Sequence, residues 1–410
     1  MQSMAAPLSN PLAAEYVLVD NRVLGEWVNM QLAQEQGIAA NIRYTQPHEL
    51  FWLLARALVS QEIPKQTPLS KIEMTWRLYS LLNDELLLAT QAMKPVAHYL
   101  SGDDSKALKR YQLAASIADL FDQYLVYRPD WILQWDNQAE RASKLREQEW
   151  QKTLWLLLTK AARQDIPTGM HHRAIIEQQL LEKLQSMDGD SVRKALPMQR
   201  LLVFGISSMP EKLVQLLAGL GQHIDVNACI INPCREYWSQ IQSARTLAKK
   251  ESADQYIDDL YIDDQYYEIG NPLLASQGVQ VRDFIALLQN YDVIENDHYD
   301  DSVNPETLLQ SIQHEIRDLT YKGEVASQEY VTAGKKCALP TGDGNTAQCI
   351  PSVHIHSCHS AMREIEVLHD QVRDIMQKNK DILPRDIVVM MPKVASYAPY
   401  IHAVFNGVNE

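Results

Sequence analysis

The run Val353-His354-Ile355-His356-Ser357-Cys358-His359 sets metal-ligating side chains at alternate positions. Read as a strand, it turns His354, His356 and Cys358 to one face, where nitrogen and sulfur donors could meet zinc; the plainer reading is a polar strand face, and no metal site is predicted. Gly205-Ile206-Ser207-Ser208 follows an apolar run, as a nucleophilic serine at a strand-to-helix turn would. That turn needs glycine at position 209, and Met209 brings a Cβ into it. Gly334-Lys335-Lys336 has the lysine of a phosphate-cradling loop without the preceding glycine, and no G-x-x-x-x-G-K-[ST] occurs anywhere. The apolar run at 201–205 leads into Gly205-Ile206 instead of the Asp-Glu pair that would hold magnesium and a water. His171 and His172 point apart if helical. The sequence thus predicts no catalytic residue, no metal ligand and no bound cofactor. What remains is a group of two carboxylates and an amide, Asp119, Asp122 and Gln123, close enough to share one flank of a helix.

The elements that must position these residues follow from apolar spacing. Around the acidic flank, Leu113, Ile117, Leu120 and Tyr124 recur at helical steps and predict a buried stripe, leaving Asp119, Asp122 and Gln123 off it. Arg128-Pro129 ends the helix, because a residue before proline is pushed out of the α region. On residue types alone this is a core helix with a solvated acidic edge. Upstream, residues 16–20 read as a buried strand and 21–35 as a helix with Val23, Trp27 and Met30 inward; 37–46 reads as a loop. Helices are predicted over 48–60, 71–82, 105–127, 139–163 (stripe Trp150, Leu154, Leu157, Ala161) and 173–185. The near-continuous apolar run at 200–206 then predicts a doubly buried parallel strand, and a helix at 210–220 with a strand at 224–231 completes a βαβ unit. Residues 251–268 are acidic and tyrosine-rich, a surface excursion. Helices at 273–289 and 305–317 flank an acidic link, and the glycines of 332–348 mark a loop. Strands at 353–356 and 387–391 around a helix at 363–377 predict a second βαβ unit.

The predicted fold is therefore α/β with parallel sheets and a large all-helical insertion. Residues 1–45 and 196–270 form the first α/β domain, 46–195 the insertion, 271–345 a helical segment and linker, and 346–410 the start of a second α/β domain. A composition of 46% hydrophobic and 22% charged residues describes an ordinary globular chain. Neither a long apolar run nor a signal-peptide pattern is present, and five scattered cysteines suit a reducing cytoplasm. Thirty-eight basic against fifty-two acidic residues give a net charge of −14, which repels nucleic acid at long range unless cations gather on one surface.

The run DLFDQYLVYRPDW at 119–131 resembles the signature of the RecC family, the gamma chain of exodeoxyribonuclease V. GIAANI at 37–42, GISSMP at 205–210, NPCREYW at 232–238, GNPLLAS at 270–276, REIEVLHD at 363–370 and PRDIVVM at 384–390 agree with it in the same order. The resemblance implies an inactive, superfamily-1 helicase-like (RecA-like) fold and a non-catalytic subunit of an ATP-dependent helicase–nuclease for recombinational repair of DNA double-strand breaks. Such a subunit splits the duplex end and scans the 3′-ended single strand for a Chi-type hotspot. It does so in a cytoplasmic heterotrimer with RecB-like and RecD-like chains, which use ATP and Mg²⁺. It further implies that Trp52, Asp119, Leu120, Asp122, Gln123, Arg128 and Arg173 lie on the DNA-reading surface, since carboxylates and amides suit base edges and suit phosphate poorly.

Departures accompany the likeness. Where the family usually reads V-Q-S-x-G-M-x-x-W, this chain has Val19-Asp20-Asn21-Arg22-Val23-Leu24-Gly25-Glu26-Trp27. Asp20 and Glu26 thus replace two glutamines, Arg22 a small polar residue, and Gln46 stands where leucine is common. Either a different sequence is read or the reading is lost, and the alternative is a helicase-derived protein-interaction scaffold or truncated relic. Family members also extend beyond both ends of the likeness, so a fragment is expected.

Overall fold

The computed structural model describes residues 12–60, 69–101, 106–137, 149–164, 172–243, 270–299, 307–321 and 352–406, together with Leu8, Asn10, Ile63 and Thr246. The excursion at 251–268, the loop at 332–348 and His171 lie outside the described residues. The chain divides into two compact units, residues 1–298 and 299–410.

In the first unit four parallel strands lie in the order β2-β1-β3-β4: β1 Glu15–Val19, β2 Ile42–Thr45, β3 Arg200–Phe204 and β4 Asp225–Cys229. Alternation along β1 sends Tyr16 and Leu18 into one core and Val17 and Val19 into another, and β3 does the same in register, with Leu18 beside Val203. Covering helices on both faces explain the unbroken apolar run of β3, whereas β4 is a largely exposed edge. Buried Arg200, at the start of β3, pairs with Glu15 at the start of β1. Burial makes that pair costly to break from one side only.

The expected loop over 37–46 contains a strand. Asn41 at φ 57° turns the chain, and Ile42–Thr45 then pairs with β1, Val17 beside Tyr44. A four-residue strand is too short for period-two alternation to declare itself. The first helix, α1 Arg22–Gln36, also differs from expectation. Val23, Trp27 and Met30 are exposed, at 74%, 46% and 56%, while Gly25, Val28 and Leu32 are buried. Gly25 decides the rotation, because a Cβ there would lie 2.9 Å from the Tyr44 ring of β2.

Between β2 and β3 the elements among the described residues are all helices: α2 Pro47–Leu58, α3 Lys71–Leu81, α4 Glu85–Leu88, α5 Lys94–Leu100, α6 Lys106–Tyr127, α7 Pro129–Asp136, α8 Glu149–Gln164, α9 Arg173–Ser186 and α10 Gly189–Ala195. Proline ends α6 as expected but immediately opens α7, where its missing N–H costs nothing. Met74, Leu78 and Leu82, Phe121 and Leu125, and Leu154, Trp155 and Leu158 fill one core, each worth roughly 1.5–3 kcal/mol on burial. On α6 the buried side is Ala114, Ile117, Ala118, Phe121 and Leu125; Leu113, Leu120 and Tyr124 are only half-buried. The stripe is rotated by one residue because Ala114 and Ala118 let α3 approach closely. A similar rotation on α8 buries Leu154, Trp155, Leu158 and Ala162 instead of the expected Trp150, Leu157 and Ala161. His172 precedes α9. Its Nε2 contacts Asp136 Oδ2, and the Trp155 indole N–H donates to Asp136 Oδ1 at 3.0 Å, so α7, α8 and α9 are pinned together.

After β3, Gly205 at φ 67° carries the turn, since a side chain there would meet Leu24 at 2.6 Å. Met209 is buried and Ser208 accepts from Gln280 at 2.8 Å. Helix α11 spans Glu211–Gly221. The expected single helix at 273–289 is two, α12 Pro272–Gln277 and α13 Val279–Leu288. They join at Gly278, where a Cβ would sit 2.5 Å from the Leu274 carbonyl and 2.9 Å from the Trp238 ring.

The second unit carries α14 Leu308–Arg317, with a capping box at Thr307, then α15 Ala361–Lys378 and α16 Val394–Phe405. The His369 ring meets Phe405 edge-on at 4.9 Å and Tyr397 donates to Glu364 at 2.9 Å. The expected strands at 353–356 and 387–391 are not formed. A strand needs a neighbour's N–H and C=O groups, and among the described residues none pairs with these segments.

Candidate nucleic-acid interface

Helix α6 buries its small and aromatic residues against α3 and α8, which leaves its acidic edge outward. Asp119 is half-exposed, Asp122 and Gln123 are exposed, and Leu120 lies half-buried between them. Lys71, the first residue of α3 after its Ser70 cap, donates to Asp119 Oδ1. Gln123 Nε2 donates to Asp119 Oδ2 at 3.1 Å, so both carboxylate oxygens are engaged and each retains a lone pair. The Asp119 hydrogen bond holds the Lys71 ammonium above the ordinary lysine range, with the charges of Asp119 and Asp122 adding to it.

Arg173, the first residue of α9, is largely enclosed, its guanidinium 4.6 Å from the Phe51 ring centroid. Burial lowers its pKa; the charges of Glu177, then Asp122 and Tyr127, oppose that. Trp52 is half-buried and meets Phe51 edge-on at 4.9 Å, while also packing on the core beside the sheet. Arg173 therefore sits against the Phe51–Trp52 pair, with Asp122 near enough for its charge to be felt. Arg128 is at the α6–α7 corner, its guanidinium 5.3 Å from the Trp131 ring. Of the residues expected to act together, Asp119 and Gln123 are joined by a hydrogen bond, Asp122 shares their flank with its charge felt at Arg173, and Arg128 rests on the Trp131 ring.

One turn beyond Arg173, Glu177 is buried, and its Oε2 has no hydrogen-bond partner among the described residues. Burial pushes this carboxyl up to about 7, against the pull of Arg173 and Lys212. It borders a cavity of about 270 Å³ lined also by Pro129, Leu133, Leu181 and Lys212. Sequence spacing had not drawn attention to Lys71 or Glu177. The available signals were a lysine directly after a helix cap, and an Arg–Glu pair four residues apart.

The substituted positions near the N-terminus collect at the carboxyl ends of β1 and β2. Arg22 reaches Glu49 at 3.6 Å and Gln46 donates to the Asp20 carbonyl at 3.5 Å, while Asp20 and Glu26 are exposed. Carboxyl ends of parallel strands are where such sheets present ligand-binding groups. The described residues hold no group of three or more His, Cys, Asp or Glu placed to bind a metal; the His354 and His356 rings stack at 6.2 Å without further ligands.

The family model of the RecC N-terminal domain matches residues 1–319. The chain belongs to the RecC family. The RecBCD enzyme subunit RecC of Escherichia coli K12 is 35% identical over 423 residues, covering 98% of this chain and 36% of that relative. The corresponding RecC of Haemophilus influenzae is 30% identical over 447 residues, covering 98% and 37%. That of Mycolicibacterium smegmatis is 27% identical over 408 residues, covering 98% and 32%. The chain thus spans about a third of the length of the curated RecC relatives it matches.

Proposed function

We propose that this chain is the N-terminal portion of a RecC-type subunit that binds DNA and partner chains and performs no catalysis itself. In this reading it serves a RecBCD-type helicase–nuclease in the cytoplasm, with RecB-like and RecD-like subunits supplying ATP hydrolysis, Mg²⁺ chemistry and cleavage. It splits duplex ends and scans the 3′-ended strand for a Chi-type hotspot. The parallel sheet interrupted by helices between β2 and β3 supports a helicase-like ancestry for the first unit. No helix of the described residues is long and apolar enough to cross a membrane.

The observation that carries the reading is the outward ledge of Asp119, Asp122 and Gln123 beside Arg173. Acceptors and an amide donor on a rigid helix match base edges; phosphates would be repelled by the same carboxylates. The test is assembly of the chain with RecB-like and RecD-like partners, followed by binding to DNA ends. The proposal expects a heterotrimer whose DNA binding the Asp119→Asn/Asp122→Asn variant retains. Failure to assemble would sink it.

A second reading, a helicase-derived scaffold without base reading, draws on the charged cluster Asp20, Arg22 and Glu26 and on the −14 net charge. It expects assembly with no sequence preference in either protein.

A further inference from the structure

The exposed side of the α3–α6 pair carries a second feature. On α3, Ile72, Trp76 and Tyr79 follow one another at i, i+4 and i+7; on α6, Leu108, Tyr111, Ala115, Asp119 and Asp122 run at steps of three and four. Trp76 and Tyr111 are 58% and 42% exposed, and their rings meet at 5.7 Å with a 47° tilt; Tyr79 closes on Trp76 edge-to-face at 6.1 Å. Aromatic area of this kind is ordinarily buried in a core. One cation adjoins it: the Arg110 guanidinium lies 5.9 Å from the Tyr79 ring, while Lys109 Nζ lies 4.7 Å over the Tyr99 ring of α5. Neither Lys109 nor Arg110 pairs with a carboxylate among the described residues, although the chain has fifty-two acidic side chains.

We infer that the exposed rings of Trp76 and Tyr111, with Tyr79 and Arg110 beside them, form a stacking platform for single-stranded DNA that leads onto the Asp119–Asp122 ledge. This rests on the reading of that ledge as a strand-binding surface. Two arguments fix the occupant. Every base presents a π-face, so two adjoining exposed rings with Arg110 close by can hold a strand irrespective of sequence. The platform and the ledge also lie on the same two helices: Trp76 faces Tyr111, and further along the pair Lys71 faces Asp119. Tyr111 and Asp119 are eight residues apart on one helix, about 12 Å, the span of three or four stacked nucleotides at about 3.4 Å each. One strand can therefore stack on the rings and present its next bases to the carboxylates.

The test uses the full chain and oligothymidylate, a probe with no hotspot sequence, carrying 5-iodouracil for photocrosslinking. Crosslinks are expected at Trp76 or Tyr111. Trp76→Ala/Tyr111→Ala is expected to weaken binding at least about ten-fold, with Trp76→Phe/Tyr111→Phe close to the parent. Circular dichroism of both variants reports whether they fold. Crosslinks confined to other residues, or equal binding by a folded alanine variant, would overturn the inference. So would protection of Trp76 from oxidation in the DNA-free assembled complex, which would mean that protein covers the platform. If crosslinks fall on Trp76 while Asp119→Ala/Asp122→Ala changes no sequence preference, the platform stands and the base-reading role falls.

Discussion

Asp119 and Glu177 show how environment divides the work among carboxylates of one small region. Asp119 is anchored at the surface by Lys71 and Gln123, its remaining lone pairs free to accept from a base edge. Glu177 is buried on α9, and its carboxyl is raised from 4.5 to about 7. The folded state therefore binds more protons than the unfolded chain between those values, and this contribution to stability falls as pH rises through that window. In urea unfolding, the parent is expected to lose up to about 3 kcal/mol relative to Glu177→Gln between pH of about 4.5 and about 7. Parallel pH profiles for the two proteins would show that Glu177 does not titrate as its burial demands. At this scale the sequence was informative about residue type and flank. Asp119, Asp122 and Gln123 do face outward together. It was silent on Lys71 and Glu177, because their significance comes from helices that meet only in three dimensions.

Helix α6 places the ledge, and its rotation is set by what it buries. Phe121 is fully enclosed and meets Trp155 edge-on at 5.4 Å. Phe121→Ala is expected to cost about 3–5 kcal/mol in urea unfolding, since the surrounding rings cannot collapse into the space. A loss under about 1 kcal/mol would mean that the core is looser than described. Helix α6 was readable from period alone, yet its buried stripe was displaced by one position, because Leu113 and Leu120 outweighed Ala114 and Ala118 by hydrophobicity. Close helix approach prefers the alanines. Strand β2 and the break at Gly278 escaped for related reasons. Each depends on a backbone contact, with β1 or with the Leu274 carbonyl, that no local pattern displays.

For the molecule as a whole, a net charge of −14 means that attraction for a DNA backbone is local. If Arg110 and two further cations meet phosphates, log K for oligothymidylate should fall with log salt at a slope of about −2. A much steeper slope would require a larger basic surface than the α3–α6 face supplies. The parallel sheet and the helical run between β2 and β3 were legible in the order of apolar runs. The second unit was less so, because its expected strands at 353–356 and 387–391 have no strand partner among the described residues.

The most direct test of the base-reading ledge is selection from a randomised single-stranded DNA pool by the assembled complex, run with the parent chain and with Asp119→Ala/Asp122→Ala. The account predicts that the parent enriches a short motif and that the double variant binds as much DNA with the enrichment lost. Identical enrichment by the two proteins, or none by the parent, would contradict it.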